Sequence, residues 1–166
     1  MSATTIVDYT VYTTHTTLTT VRGEPSFDSL SKLETQIHEN AANVPCPSLA
    51  NGDTGHLGLT MSDIKFALVS PHHMYTRQVA PGLFVPPATG TGPQIAAAQS
   101  IHDEALCLFN ECTMVEKIQI TQMRNAIDPK YSEEQLHATT RLPIVDIATI
   151  LSNLFTTYVT VTQTHL

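Results

Sequence analysis

Between Pro93 and Ile127, apolar side chains return with the period of an α-helix. Ile101, Ala105, Leu108, Cys112 and Val115 step at i, i+4, i+7, i+11 and i+14, and Ile120, Met123 and Ile127 continue on a displaced stripe. A helix of that length, opened by a first-turn proline, must be covered on more than one side. The chain is therefore expected to be mainly α, a single-domain helical bundle. The change of stripe near Thr113 leaves open a break into two helices.

The rest of the chain is punctuated around that helix. Ser26 is a good N-cap, Asp28 sits in the first turn, and Phe27, Leu30, Leu33 and Ile37 predict a helix that ends before Val44-Pro45-Cys46-Pro47. Residues 43–58 follow as a loop. Thr60-Met61-Ser62-Asp63 fits a capping box ahead of Ile64, Ala67 and Leu68, so a short helix is predicted from about residue 61 to just before Pro71. Pro71, Pro81, Pro86 and Pro87, with Gly82, Gly90 and Gly92, make residues 70–93 a long irregular connection. After the long helix, Asp128-Pro129-Lys130-Tyr131 reads as a turn and residues 132–137 as a short helix. Leu142-Pro143 then opens a last helix whose stripe is Ile144, Ile147, Leu151, Leu154, Phe155 and Tyr158. Upstream, Val7, Tyr9 and Val11 alternate within a Thr-rich stretch, which reads as one or two strands, an extended arm, or a disordered tail.

Length and charge narrow the function classes. At 166 residues the chain is about one domain. A net charge of −7 with 8 Lys+Arg argues against direct binding to a phosphate backbone, which needs several positive contacts at once. Charged residues make up 14% of the chain, so much of the surface is neutral and polar, a surface easily buried against a neighbour. No run of 18 apolar residues occurs and the N-terminus lacks a basic start followed by an apolar stretch, so no membrane partner is expected. Cys46, Cys107 and Cys112 form an odd trio without metal-type spacing, which reads as reduced thiols.

Asp53-Thr54-Gly55 is the tripeptide of an aspartic protease, and it has to be weighed. Such an enzyme needs two carboxylates sharing a proton, each on a turn held by apolar strands. Here Asp53 follows Asn51-Gly52 and precedes Gly55-His56 in a chain with a helical pattern, so the tripeptide reads as turn chemistry. Cys46 between two prolines could be a reactive thiol, and a small hydrolase using Asp53 or Cys46 is the enzymatic alternative. The eight histidines show no His-Glu-x-x-His pattern, and neither cofactor nor metal is expected. Cys112 reads as core, and His102 with Glu104 as a solvated or hydrogen-bonded helix face.

A series of segments carries a family resemblance: "GHLGLTMSDIKFALVS" at 55–70, "VAPGLFVPPATGT" at 79–91, a long helix holding His102 and Ala105, "NAIDPKY" at 125–131, and "LPIVDIATILSNLFTTYVTVT" at 142–162. In order and spacing the series resembles the N-terminal Gag region of copia-type LTR retrotransposon polyproteins. The resemblance implies a non-catalytic capsid-type domain that self-associates into a cytoplasmic shell around element RNA. Residues 1–22 would be an N-terminal arm or hairpin, 23–160 the helical domain, and 161–166 the start of a linker. No Cys-x2-Cys-x4-His-x4-Cys knuckle and no basic tail occur, so RNA contact would lie in a region outside this chain. Assembly contacts are expected on the first helix, on its neighbour after residue 60, and on the 71–92 connection, with His72, His73, Tyr75 and Arg77 as candidates and His56 and Arg141 beside them. The non-enzymatic alternative is a helical protein-interaction module that uses the same surfaces.

Overall fold

The computed structural model describes residues 17–44, 54–72, 74–140, 143 and 145–159. The Thr-rich stretch up to residue 16, Cys46, Asp53, His73 and Arg141 lie outside the described residues. Within them the chain is mainly helical, with four α-helices and almost no strand. They are α1 (Phe27–Ala42), α2 (Asp63–Val69), α3 (Gly92–Ala126) and α4 (Ile147–Leu154).

Helix starts follow hydrogen-bond chemistry. Ser26 and Ser29 cap α1 reciprocally: Ser29 N–H donates to Ser26 Oγ at 3.2 Å and Ser26 N–H to Ser29 Oγ at 2.9 Å. α2 is capped by Ser62, whose Oγ accepts from Lys65 N–H at 3.3 Å. The expected capping residue, Thr60, instead turns its hydroxyl to Leu57 O at 2.7 Å. α3 runs unbroken for 35 residues, about 52 Å, so the change of stripe near Thr113 is no break. Thr91 caps it, with Gln94 Oε1 accepting from Thr91 N–H at 2.9 Å.

Two expectations for the C-terminal region need correction. α4 begins at Ile147, not at Leu142-Pro143, because Pro143 is held in a single antiparallel bridge with Leu136. The N-cap is Asp146, whose Oδ1 accepts from Thr149 N–H at 2.8 Å. Of the predicted helix over 132–137 a single 3-10 turn forms, Glu133–Gln135, and the predicted turn at Asp128-Pro129-Lys130-Tyr131 is itself a 3-10 turn, Pro129–Tyr131. α4 widens into a π-helical turn over Phe155–Val159.

Two apolar clusters lie along α3. In the first, Leu30, Leu33 and Ile37 of α1 meet Ile120, Met123 and Ala126 of α3 and Ile147, Ile150, Leu151 and Leu154 of α4. Residues 17–22 join this cluster as an irregular segment: Leu18 and Val21 are buried in it, and Val21 N–H donates to Ala126 O at 2.7 Å. In the second, Cys112 and Val115 of α3 meet Val44, Leu57, Leu59, Met61, Phe66 and Tyr75. The N-terminal half of α3 carries the proline-rich connection instead. There His102 Nε2 lies 2.8 Å from Gly82 O and the ring of Phe84 stands edge-on to that of His102. Ile101, at the head of the predicted stripe, remains 69% exposed.

Candidate functional site

The loop Gly55-His56-Leu57-Gly58 is where the sequence concentrates its polar candidates. Its backbone packs against the end of α1, with His56 N–H donating to Ala41 O at 3.0 Å. Gly55 has φ +51°, and a Cβ there would run into the carbonyls of Ala42 and Val44. At Gly58 a Cβ would run into the Tyr75 ring. Both glycines are thus required by close packing.

That packing seals His56 inside, at 0% exposure. Its Nδ1 lies 3.2 Å from Tyr75 Oη, its Nε2 lies 3.0 Å from Glu111 Oε1, and Tyr75 Oη lies 3.6 Å from Cys112 Sγ. The three contacts form one continuous polar chain, and burial pushes the Cys112 thiol up against the opposing effect of its hydrogen bond with Tyr75. The chain ties the loop after α1, the segment after α2 and the middle of α3 together. Its members are buried, so in this conformation no substrate reaches them.

The assembly candidates therefore divide. His56 and Tyr75, expected to meet a partner, are interior, with Tyr75 only 6% exposed; neither offers surface. Arg77 is half-buried and occupied internally: Nη2 donates to Met61 O at 3.1 Å and reaches Gly58 O at 3.4 Å, while Nη1 lies 3.7 Å from Asp146 Oδ2. It bridges one end of a groove of about 700 Å³ between α1, the start of α2 and α4. Glu34, Asp63 and Asp146 line this groove together with His38, Lys65 and Arg77, so it favours neither sign of ligand. His72 is exposed. Among the described residues no group of three His, Cys, Asp or Glu could hold a metal ion.

The helix after residue 60 was expected to carry contacts, but the sequence reading named no residue on it and missed which of its sides faces solvent. α2 is apolar on two opposite sides: Phe66 is 3% exposed and packs edge-on to Tyr75, while Ile64 and Leu68 are 80% and 81% exposed. The stripe Ile64, Ala67, Leu68 that announced the helix is its solvent face. A seven-residue helix with a single buried anchor was the available signal, because i, i+3, i+4 spacing identifies a face without saying which way it points. Glu111 was missed as well; it directly precedes a core residue on α3, and only the buried partner His56 gives it a role.

Among the described residues no helix is long and apolar enough to cross a membrane. Comparison with family models, with curated proteins and with solved structures finds no match for this chain.

Proposed function

We propose that this chain is a structural, non-catalytic domain that associates with copies of itself, as a capsid-type Gag domain does. One observation carries the reading: α2 turns Ile64 and Leu68 to solvent directly opposite its buried anchor. Exposed apolar residues scattered singly are ordinary, whereas an apolar face on a regular element is what contact surfaces use. The ordered series of segments from Gly55 to Thr162 supplies the capsid part of the reading. The burial of the polar chain around His56 is in keeping with a scaffold role. Sedimentation across concentration, with negative-stain microscopy of pelleted material, tests it. Rings, tubes or shells support the reading, and a strict monomer at millimolar concentration removes self-assembly by this chain.

A second reading, a monomeric interaction module, is favoured by the proline-rich connection. From Gln78 to Ile101 there is no charged residue, and Val79, Leu83 and Val85 are exposed. This reading predicts a monomer that binds a different protein through that connection.

A further inference from the structure

The stretch Leu83-Phe84-Val85-Pro86-Pro87 is held in the open between two turns. Before it, Pro81 and Gly82, the latter at φ +72°, carry the residue pattern of a type II turn. After it, Gly90 N–H donates to Pro87 O at 3.4 Å. Among the described residues, that carbonyl is the one hydrogen-bonded backbone group of the five, and the stretch is neither helix nor strand. Pro86 and Pro87 fix their own φ at about −65° and push Val85 and Pro86 out of the helical region. An unpaired, solvated backbone under those restraints is polyproline II.

Three residues per turn then decide which side chains are shown. Phe84 is half-buried against α3, its ring edge-on to that of His102 with centroids 5.5 Å apart, and His102 Nε2 lies 2.8 Å from Gly82 O. Seating Phe84 in this way puts Leu83 and Pro86 on a second edge and Val85 on a third. All three are exposed, Leu83 at 93% and Val85 at 80%. The stretch is thus fixed to the body along one edge and offers the other two over about 15 Å of length.

Its chemistry restricts the partner. Pro86 and Pro87 have no N–H, so addition to the edge of a sheet would leave ladder positions without a donor. From Gln78 to Ile101 no residue is charged, and Arg77 beside them is taken up by Met61 O and Gly58 O, so neither a basic nor an acidic surface gains by contact. A neutral groove lined by aromatic side chains fits what is left. Such grooves stack on proline rings and take the neighbouring apolar side chains, and a ligand that is already extended and anchored loses little entropy on docking.

We propose that residues 83–87 are a polyproline II ligand, taken up by a separate domain with an aromatic-lined groove. Pro86 stacks on the rings of the groove, with Leu83 beside it and Val85 on the adjoining edge, while Pro87 holds Pro86 extended. The inference rests on the interaction-module reading and names its partner; it does not depend on whether copies also associate.

The test titrates the isotope-labelled full chain with purified WW, SH3 and EVH1 domains and follows its amide resonances. At least one domain binds with saturation below millimolar concentration, and the shifts centre on residues 82–90. Added salt leaves the affinity unchanged, as a neutral contact requires. Pro86→Ala/Pro87→Ala weakens binding at least about tenfold and Leu83→Ser about threefold to tenfold, with the thermal midpoint of the fold in place. Failure of every domain to bind, shifts confined to another surface, or binding that survives the double proline variant overturns the proposal. Capture of lysate proteins by the full chain separates this failure from that of the underlying reading. Capture lost in Leu83→Asp/Val85→Asp but kept in Pro86→Ala/Pro87→Ala overturns the polyproline II partner and leaves the interaction module standing. Capture indifferent to both double variants overturns the module as well.

Discussion

His56 shows how much one buried polar residue organises. Its two ring nitrogens hold Tyr75 and Glu111, and through Tyr75 the thiol of Cys112. Replacing it by Ala leaves Glu111 buried without its partner, an arrangement that costs far more than a lost surface contact. His56→Ala is expected to destabilise the fold by about 3 kcal/mol, read as a lower urea midpoint at unchanged m-value. Gly58→Ala acts on the same joint by displacing the Tyr75 ring and should also lower the midpoint. Glu116 is a different case. Burial raises its pKa, against a hydrogen bond from Ile147 N–H to its Oε1 at 3.3 Å. A carboxyl whose pKa is raised by folding contributes stability fully below its unfolded pKa, and that stability is lost as pH rises through the folded value. Glu116→Gln keeps an acceptor for Ile147 without the charge. The variant is expected to unfold at a higher temperature than the parent near neutral pH, and the difference should shrink as pH falls below the usual carboxylate range.

α2 is the element whose two sides behave oppositely under mutation. Phe66→Ala removes a ring buried in the second apolar cluster edge-on to Tyr75 and should cost about 3–5 kcal/mol. Ile64→Ala and Leu68→Ala should each leave stability within about 0.5 kcal/mol of the parent, because neither side chain leaves water on folding. Urea unfolding of the three variants checks both halves of this statement. The helices themselves were legible from capping residues and 3.6-residue stripes: Ser26 opens α1 as expected, and α3 keeps its proline near the first turn. The start of α4 was not legible, because the pairing of Pro143 with Leu136 is a tertiary fact that leaves no periodic trace. The interior position of His56 was hidden for a similar reason: its partners lie 19 and 55 residues away. On the outer half of α3, His102 accounts for the position of the proline-rich connection through Gly82 and Phe84. His102→Ala should speed amide exchange over residues 82–85 while leaving protection in the C-terminal half of α3 unchanged.

For the whole molecule, charge and apolar surface act against each other. A net charge of −7 keeps copies apart, and the α2 face draws them together without adding to that charge. Repulsion between copies is screened within about 10 Å at 0.1 M salt, so added salt should strengthen self-association, the reverse of what attraction to a basic partner would show. The two apolar clusters along α3 and the polar chain around His56 hold the body that presents α2, and they leave its outward face free for contact. The most direct measurement is sedimentation velocity of the full chain from micromolar to millimolar concentration, with and without Ile64→Asp/Leu68→Asp. The account predicts a sedimentation coefficient that climbs with concentration in the parent and stays at the monomer value in the double variant. A parent that sediments as a monomer throughout, or a double variant that associates as the parent does, would contradict it.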